Sequence, residues 1–386
     1  MRVGIDIRLA HWPGIGRYVE ESVRRLVEDY PQTTYVLIDN PRERKAVTRQ
    51  GYHNPGLREG IRAANCTVVE FEPPPFSVRE PFALGRLADE CRLDVMHSPY
   101  INVPLGTRVP LVATLHDFRH PDTAASWRSP RSVAKRAYYE AMLRVTMQQA
   151  RATICVSEFL KREIVRFRPA AACKTIVIGH GVGESFHPMA SAGVSTTVHD
   201  DARAPYLLFV GTMKPHKNLC MTLEAFAQAR GSLPPGYRLI VAAADDPRYP
   251  KPRATARALG LDDVVRFVGH VDKQRLAGLY NAARATVLPS TYESFGLPVL
   301  ESMACGTPVI AARCAALPEV GGDAAYYVEP DAYSLAQAMC RLARDDALHA
   351  ALRERGLARA RSRPWSAAAR KIHDIYGDVA CGGRAS

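Results

Sequence analysis

Apolar residues along this chain come in short runs bounded by turn residues, and the stretches between them repeat their apolar positions at helical spacing. Runs that are apolar throughout are what strands covered on both faces require, so the pattern predicts parallel sheets flanked by helices. In the first half the runs fall at 2–7, 34–39, 66–71, 94–97, 110–115, 152–156 and 174–178. A helix is predicted from about Arg17 to Tyr30, where Val19, Val23, Leu26 and Val27 share one face. Beyond Gly179 the periodicity lapses through Pro188, a stretch rich in Ser, Ala, Gly and Thr, and Asp200-Asp201. A second series opens at 206–210 and continues at 238–242, 264–268, 285–288 and 308–311, each run followed by a helical pattern. The last amphipathic helix is predicted from Trp365 to Val379, with Trp365, Ala368, Ile372, Ile375 and Tyr376 on its apolar side.

The fold class expected is therefore α/β: a Rossmann-like domain over 1–185, a linker over 186–204 and a second Rossmann-like domain over 205–364. Open parallel sheets bind ligands beyond the carboxyl ends of their strands, so two such domains would share one cleft, with the chemistry just after strands.

Composition narrows the partners. Of 386 residues 47% are hydrophobic, enough for more than one core, and 51 Lys and Arg against 39 Asp and Glu leave a net charge of +12. Phosphates, acidic lipid surfaces and other polyanions suit that charge. Nine cysteines without a C-x-x-C pair suit reduced thiols, and the strand-like run that begins right after Met1 predicts no signal peptide. With no apolar stretch approaching a membrane span, a cytoplasmic protein with at most peripheral membrane contact is expected.

Four segments carry candidate chemistry. In Pro289-Ser-Thr-Tyr-Glu293-Ser294-Phe295-Gly296-Leu297-Pro-Val-Leu-Glu301 a strand gives way to a polar loop and a helix near Pro298. The amides of Ser294 to Leu297 would lie at the helix start, where unpaired N–H groups and the helix dipole favour a diphosphate. Glu301 would accept hydrogen bonds from ribose hydroxyls and Glu293 from those of a transferred sugar. In Phe209-Val-Gly211-Thr212-Met-Lys214-Pro-His216-Lys217-Asn218-Leu219 a strand again ends at a glycine and turns into a helix. Leu111-Val-Ala-Thr-Leu-His116-Asp117 is an apolar strand with two polar residues at its carboxyl end, where a ligand is expected. Gly14-Ile-Gly16-Arg17-Tyr18 follows the first strand, its glycines permitting close backbone approach to phosphates. As a dinucleotide fingerprint it lacks the third glycine, which argues against the competing NAD-dependent oxidoreductase.

The two glutamates eight positions apart, with Phe295-Gly296-Leu297-Pro298 between them, resemble the signature of glycosyltransferase family 4, the retaining GT-B enzymes. The segment 211–218 resembles the family's Gly-x-x-x-Pro-Arg-Lys-Asn, with His216 where Arg is more usual and Thr212 where a further Arg often stands. Val265-Arg-Phe267-Val268-Gly269-His270-Val271 resembles the strand and loop that hold the nucleobase, and the closing helix, 365–386, the segment that returns to the first domain. The resemblance implies His116, Asp117, Lys217 and Glu293 as catalytic residues. It implies a donor site of Gly14, Gly16, Gly211, Thr212, Lys214, His216, Val268, Ser294, Phe295, Gly296, Leu297 and Glu301, in which Lys214 or His216 takes the place of the missing Arg.

It further implies transfer of a hexose from a nucleotide sugar with retention of configuration, with no metal and no cofactor beyond the donor. Likeness to mannosyltransferases of bacterial surface polysaccharides points to GDP-mannose. A saccharide or lipid-linked saccharide, not nucleic acid, is the acceptor expected, met by Pro73 to Phe82 and the basic stretch Arg128 to Arg144. A sugar-binding relative without catalysis is the remaining alternative.

Overall fold

In the computed structural model the residues described are 1–10, 12, 14–41, 63–73, 77–117, 130–190 and 204–382. Most of the expected linker, residues 74–76 of the proline-rich stretch and the start of the basic stretch lie outside them. The chain divides into two compact units, Met1–His180 with Trp365–Ser386, and Gly181–Pro364.

The first unit holds strands β1 (Arg2–Asp6), β2 (Thr34–Asp39), β3 (Cys66–Glu70), β4 (Val95–Ser98), β5 (Leu111–Leu115), β6 (Ala152–Cys155) and β7 (Thr175–Val177). Its helices are α1 (Ile15–Asp29), α2 (Glu80–Glu90), α3 (Pro130–Gln149) and α4 (Glu158–Phe167). The second unit holds β8 (Tyr206–Gly211), β9 (Arg238–Ala243), β10 (Val265–Phe267), β11 (Ala285–Leu288), β12 (Val309–Ala312) and β13 (Ala325–Val328). Around its sheet run α5 (Leu219–Ala229), α6 (Lys251–Ala258), α7 (Lys273–Ala282), α8 (Leu297–Ala304), α9 (Leu317–Gly321), α10 (Ala332–Arg344) and α11 (Asp346–Arg361). The last helix, α12 (Trp365–Ala380), belongs to the first unit.

All pairings are parallel, in the orders β3-β2-β1-β4-β5-β6-β7 and β10-β9-β8-β11-β12-β13. In each unit the first strand is central, and the order reverses between it and the fourth, the doubly wound arrangement with its switch point. Register follows burial: Val3 lies between Tyr35 and Val95, and Phe209 between Val241 and Val287, all buried. The strand missing from the predicted runs is β13, an edge strand whose Tyr326 and Tyr327 are half-buried.

The predicted apolar faces of α1 and α12 meet one another and the first sheet. Val19, Val23, Leu26 and Val27 share a core with Trp365, Ala368, Ile372, Ile375, Tyr376, Val3 and Tyr35. Each large side chain buried there contributes about 1.5–3 kcal/mol, which fixes α12 to this unit. The helix α1 begins at Ile15 rather than near Arg17, because Gly14, at φ 82°, supplies the left-handed turn before it. Gly16 fits inside the first turn; a Cβ there would collide with the Ala10 carbonyl oxygen.

At the carboxyl end of β1 a buried ion cluster ties three segments together. Arg8 donates from Nε to Asp6 Oδ1 at 2.8 Å and from Nη2 to Oδ2 at 2.6 Å. Its Nη1 lies 2.7 Å from Glu80 Oε1, and Asn102 Nδ2 donates to Glu80 Oε2 at 2.7 Å. Burial pushes the Glu80 carboxyl up while the Arg8 guanidinium pulls it down. No helix among the described residues is long and apolar enough to cross a membrane. Replacing Arg8 by Met would strand two buried carboxylates, and urea unfolding is expected to show a loss of about 3–5 kcal/mol; a loss like that of a surface arginine would mean that the cluster is not held together by this cation.

Candidate active site

In the second unit the two motif loops follow β8 and β11, neighbouring strands at the switch point, and are stitched together. Asn218 takes a left-handed conformation (φ 55°) ahead of α5 and donates from Nδ2 to the Pro289 carbonyl at 2.9 Å. The Thr291 amide donates to the His216 carbonyl at 2.9 Å, and the Ala316 amide to the Glu293 carbonyl at 3.2 Å. Gly296 precedes α8 at φ 97°, and a Cβ there would lie 2.8 Å from the Leu317 side chain, so both backbone and packing require glycine.

This stitching brings Lys217 Nζ to 2.6 Å from Glu293 Oε1, with the two side chains 18% and 11% exposed. Glu301, on the second turn of α8, is 5% exposed, and its Oε2 accepts a hydrogen bond from the Tyr280 hydroxyl at 3.2 Å. Ser294 and Phe295 are buried between the two glutamates. Thr212 Oγ1, just after β8, is a buried oxygen without a hydrogen-bond partner. Lys214 lies near Asp246, whose carboxyl is held below its ordinary range by Arg248 first and by Lys214 least. Val268 follows β10 and donates its amide to the Val241 carbonyl at 3.0 Å, at the same end of the sheet but two strands from β8.

In the first unit His116 and Asp117 follow β5, as the pattern of that strand required. His116 is 7% exposed and its Nε2 is buried without a hydrogen-bond partner. An unmet buried nitrogen costs about 1–3 kcal/mol, so a ligand hydroxyl that meets it recovers that penalty. The ring of Tyr18 stands edge-on to His116 at 4.7 Å, and that of His180 lies tilted to it at 5.7 Å. Tyr139 of α3 donates to the Asp117 carbonyl at 3.1 Å. Burial, then the charge of Asp117, pushes the Tyr100 hydroxyl up, which sets that carboxylate beside it. Gly14 and Gly16 act here through α1: the Tyr18 amide bonds the Gly14 carbonyl at 3.2 Å, so the glycine turn sets where Tyr18 meets His116.

Sequence profiles of two families match these two units: one described as Glycosyltransferase Family 4 over residues 12–186, and one as Glycosyl transferases group 1 over 204–345. A D-inositol 3-phosphate glycosyltransferase of Streptosporangium roseum is 32% identical over 305 residues, 74% of this chain and 69% of that protein. The chain belongs to glycosyltransferase family 4. An O-antigen chain mannosyltransferase B of Escherichia coli is 31% identical over 235 residues, 59% of this chain; the match spans only 61% of that protein's length. In fold the family 4 chain is similar to sucrose-phosphate synthase from Thermosynechococcus elongatus (TM-score 0.77, 22% identity, 99% and 100% of the two chains). It is likewise similar to Anabaena HepE solved with UDP and glucose (TM-score 0.74, 18% identity, 98% and 99% of the two chains). The fold is thus the GT-B type, with two Rossmann-like domains.

Within this family member, two residues at the site escaped sequence reasoning. Tyr280 lies on α7, remote in sequence from the glutamate it bonds, and nothing in its spacing signals that contact. His97 is the penultimate residue of β4 as His116 follows β5, and its place near the end of an apolar run would have found it. No group of three or more metal-ligating side chains stands together among the described residues.

Three histidines of the first unit are neutral when folded. Burial pulls His97 and His116 down to about 3, and His180 also falls well below its ordinary value, with His116 adding to the shift of His97 and His180. In the unfolded chain each titrates near ~6.5. Between those values the unfolded chain binds protons that the folded one does not, so their contribution is complete above ~6.5 and is lost as pH falls toward ~3. Urea unfolding at about pH 7 and about pH 5 is expected to show a loss of about 1.4 kcal/mol per pH unit per histidine below ~6.5; a flat profile there would mean that the three are solvated.

Proposed function

We propose that this chain transfers a hexose from a nucleoside diphosphate sugar to a saccharide acceptor, with retention of configuration and without a metal. The observation that carries the reading is the Lys217–Glu293 pair at 2.6 Å, held where two stitched loops meet the start of α8. A diphosphate at that helix start gains the α8 amides and dipole, and it competes with Glu293 for Lys217. The exchange frees Glu293 to accept hydroxyls of the sugar, while Glu301, steadied by Tyr280, takes the ribose. Gly211, Thr212 and His216 line the same loop, and the orphaned Thr212 hydroxyl supplies a donor where the family more often has Arg. Lys214, drawn toward Asp246, is the weaker substitute.

In the transfer the acceptor hydroxyl oxygen bonds to the anomeric carbon on the face from which the diphosphate leaves. The bond from that carbon to the phosphate oxygen breaks, and the hydroxyl proton passes to the departing phosphate. Lys217 and the α8 amides offset the charge that develops there. His116 meets a hydroxyl of the transferred sugar through Nε2, and Asp117 orients the acceptor.

The mannosyltransferase names among the relatives, O-antigen chain mannosyltransferase B and serotype-specific mannosyltransferase WbdA, support GDP-mannose as donor and a surface polysaccharide as product. Exposed Val78, Phe82 and Val133 suit a cytoplasmic protein that touches a membrane peripherally to reach a lipid-linked acceptor.

A thermal-shift screen of GDP, UDP, dTDP, ADP and NAD tests the reading. GDP at about 100 times its Kd is expected to stabilise the chain by about 2.7 kcal/mol, and Lys217→Ala or Glu301→Ala to abolish the response; a response to NAD alone would sink the proposal. Glu293→Gln is expected to keep or raise GDP affinity, since it removes the carboxylate that competes for Lys217, while lowering turnover of GDP-mannose about 100-fold or more. Proton NMR of the product is expected to show the donor's anomeric configuration, and inversion would overturn the same-face displacement.

A further inference from the structure

The first unit contains a continuous buried chain of hydrogen bonds that the transfer step itself does not use. The Tyr376 hydroxyl of α12 meets His97 Nδ1 at 2.6 Å, and His97 Nε2 meets Thr114 Oγ1 at 2.8 Å. Thr114 Oγ1 in turn meets the Tyr18 hydroxyl at 3.0 Å. All four residues are buried. A neutral imidazole has one N–H and one bare nitrogen, and each hydroxyl gives one proton and accepts another. The chain therefore runs head to tail, from Tyr376 to Tyr18 or from Tyr18 to Tyr376, and in either sense each member orients the next.

The chain ends at the ring of Tyr18, which stands edge-on against His116. His116's other ring neighbour, His180, is itself edge-on to Trp365, the first residue of α12, at 5.5 Å. Among the described residues both ring contacts of His116 thus lead back to the same helix.

We infer that α12 is the positioning element for His116: Tyr376, through His97, Thr114 and Tyr18, and Trp365, through His180, hold the imidazole so that Nε2 meets a sugar hydroxyl. The inference rests on the reading of His116 as the residue that contacts the transferred sugar. Tyr18, His97, Thr114, Tyr376 and Trp365 touch no reacting atom; they are positioning residues. Tyr376→Phe removes one hydroxyl and keeps the ring, so the core survives while the chain loses its anchor.

Nitrogen-15 NMR of histidine-labelled protein reads the result directly. In Tyr376→Phe the His116 ring nitrogens are expected to move away from their wild-type frequencies. Release of GDP from GDP-mannose is expected to fall about 10- to 100-fold, with GDP affinity unchanged. Where Tyr376→Phe does not fold, Thr114→Val severs the same chain and carries the same expectations. His116 nitrogens that keep their wild-type frequencies in these variants and in Trp365→Phe, while those of His97 or His180 shift, would overturn the inference. A His116→Gln variant with wild-type turnover would instead sink the reading of His116 as a sugar contact, and the nitrogen-15 comparison then decides positioning alone.

Discussion

Burial of the apolar face of α12 against α1 and the first sheet is the contact on which the first unit depends. It joins the last described residues of the chain to the first strand, so the core that Val3 and Ile5 begin is completed by Ile372, Ile375 and Tyr376. Without that helix the outer side of α1 would expose a stripe of branched apolar side chains, and folding would lose several contributions of about 1.5–3 kcal/mol each. Several of the polar groups buried with this core bond one another. His97, Thr114, Tyr18 and Tyr376 do so in one chain, and Arg8, Asp6, Glu80 and Asn102 in one cluster. The same core that stabilises the unit therefore sets the surroundings of His116.

The second unit solves a different problem: holding a cation and a carboxylate close together near the surface without locking either. Neither loop does this alone. Asn218 reaches from one loop to the Pro289 carbonyl of the other, the His216 carbonyl takes the Thr291 amide, and the two side chains that meet as a result are Lys217 and Glu293. A partly exposed ion pair is worth little in stability, which makes it exchangeable for a tighter-binding anion. Glu301 is of the opposite kind, buried and steadied by Tyr280, and suits a fixed contact rather than a switched one.

Much of the fold was legible because both sheets are parallel and covered on both faces, so their strands read as uninterrupted apolar runs; β13, at a sheet edge with half-buried tyrosines, did not. The helix α1 starts two residues ahead of Arg17 although glycines oppose helix formation in isolation, because Gly14 makes the turn and Gly16 fits against Ala10. In the candidate site, the placement of His116, Lys217, Glu293 and Glu301 beyond the ends of strands was legible from motif and pattern. The contacts of Tyr280 and Tyr376 were not, since their partners lie more than twenty or hundreds of residues away in sequence.

By itself the sequence determined the strand runs, the amphipathic faces of α1 and α12, and the residue types that stand at the carboxyl ends of β5, β8 and β11. These are local properties, set by side-chain period and turn chemistry within a few residues. The tertiary structure alone decided that Lys217 pairs with Glu293, that Glu301 is held by Tyr280, and that the rings packed on His116 lead back to α12. Those contacts arise from strand order and helix packing, which bring together side chains whose spacing along the chain carries no trace of their meeting.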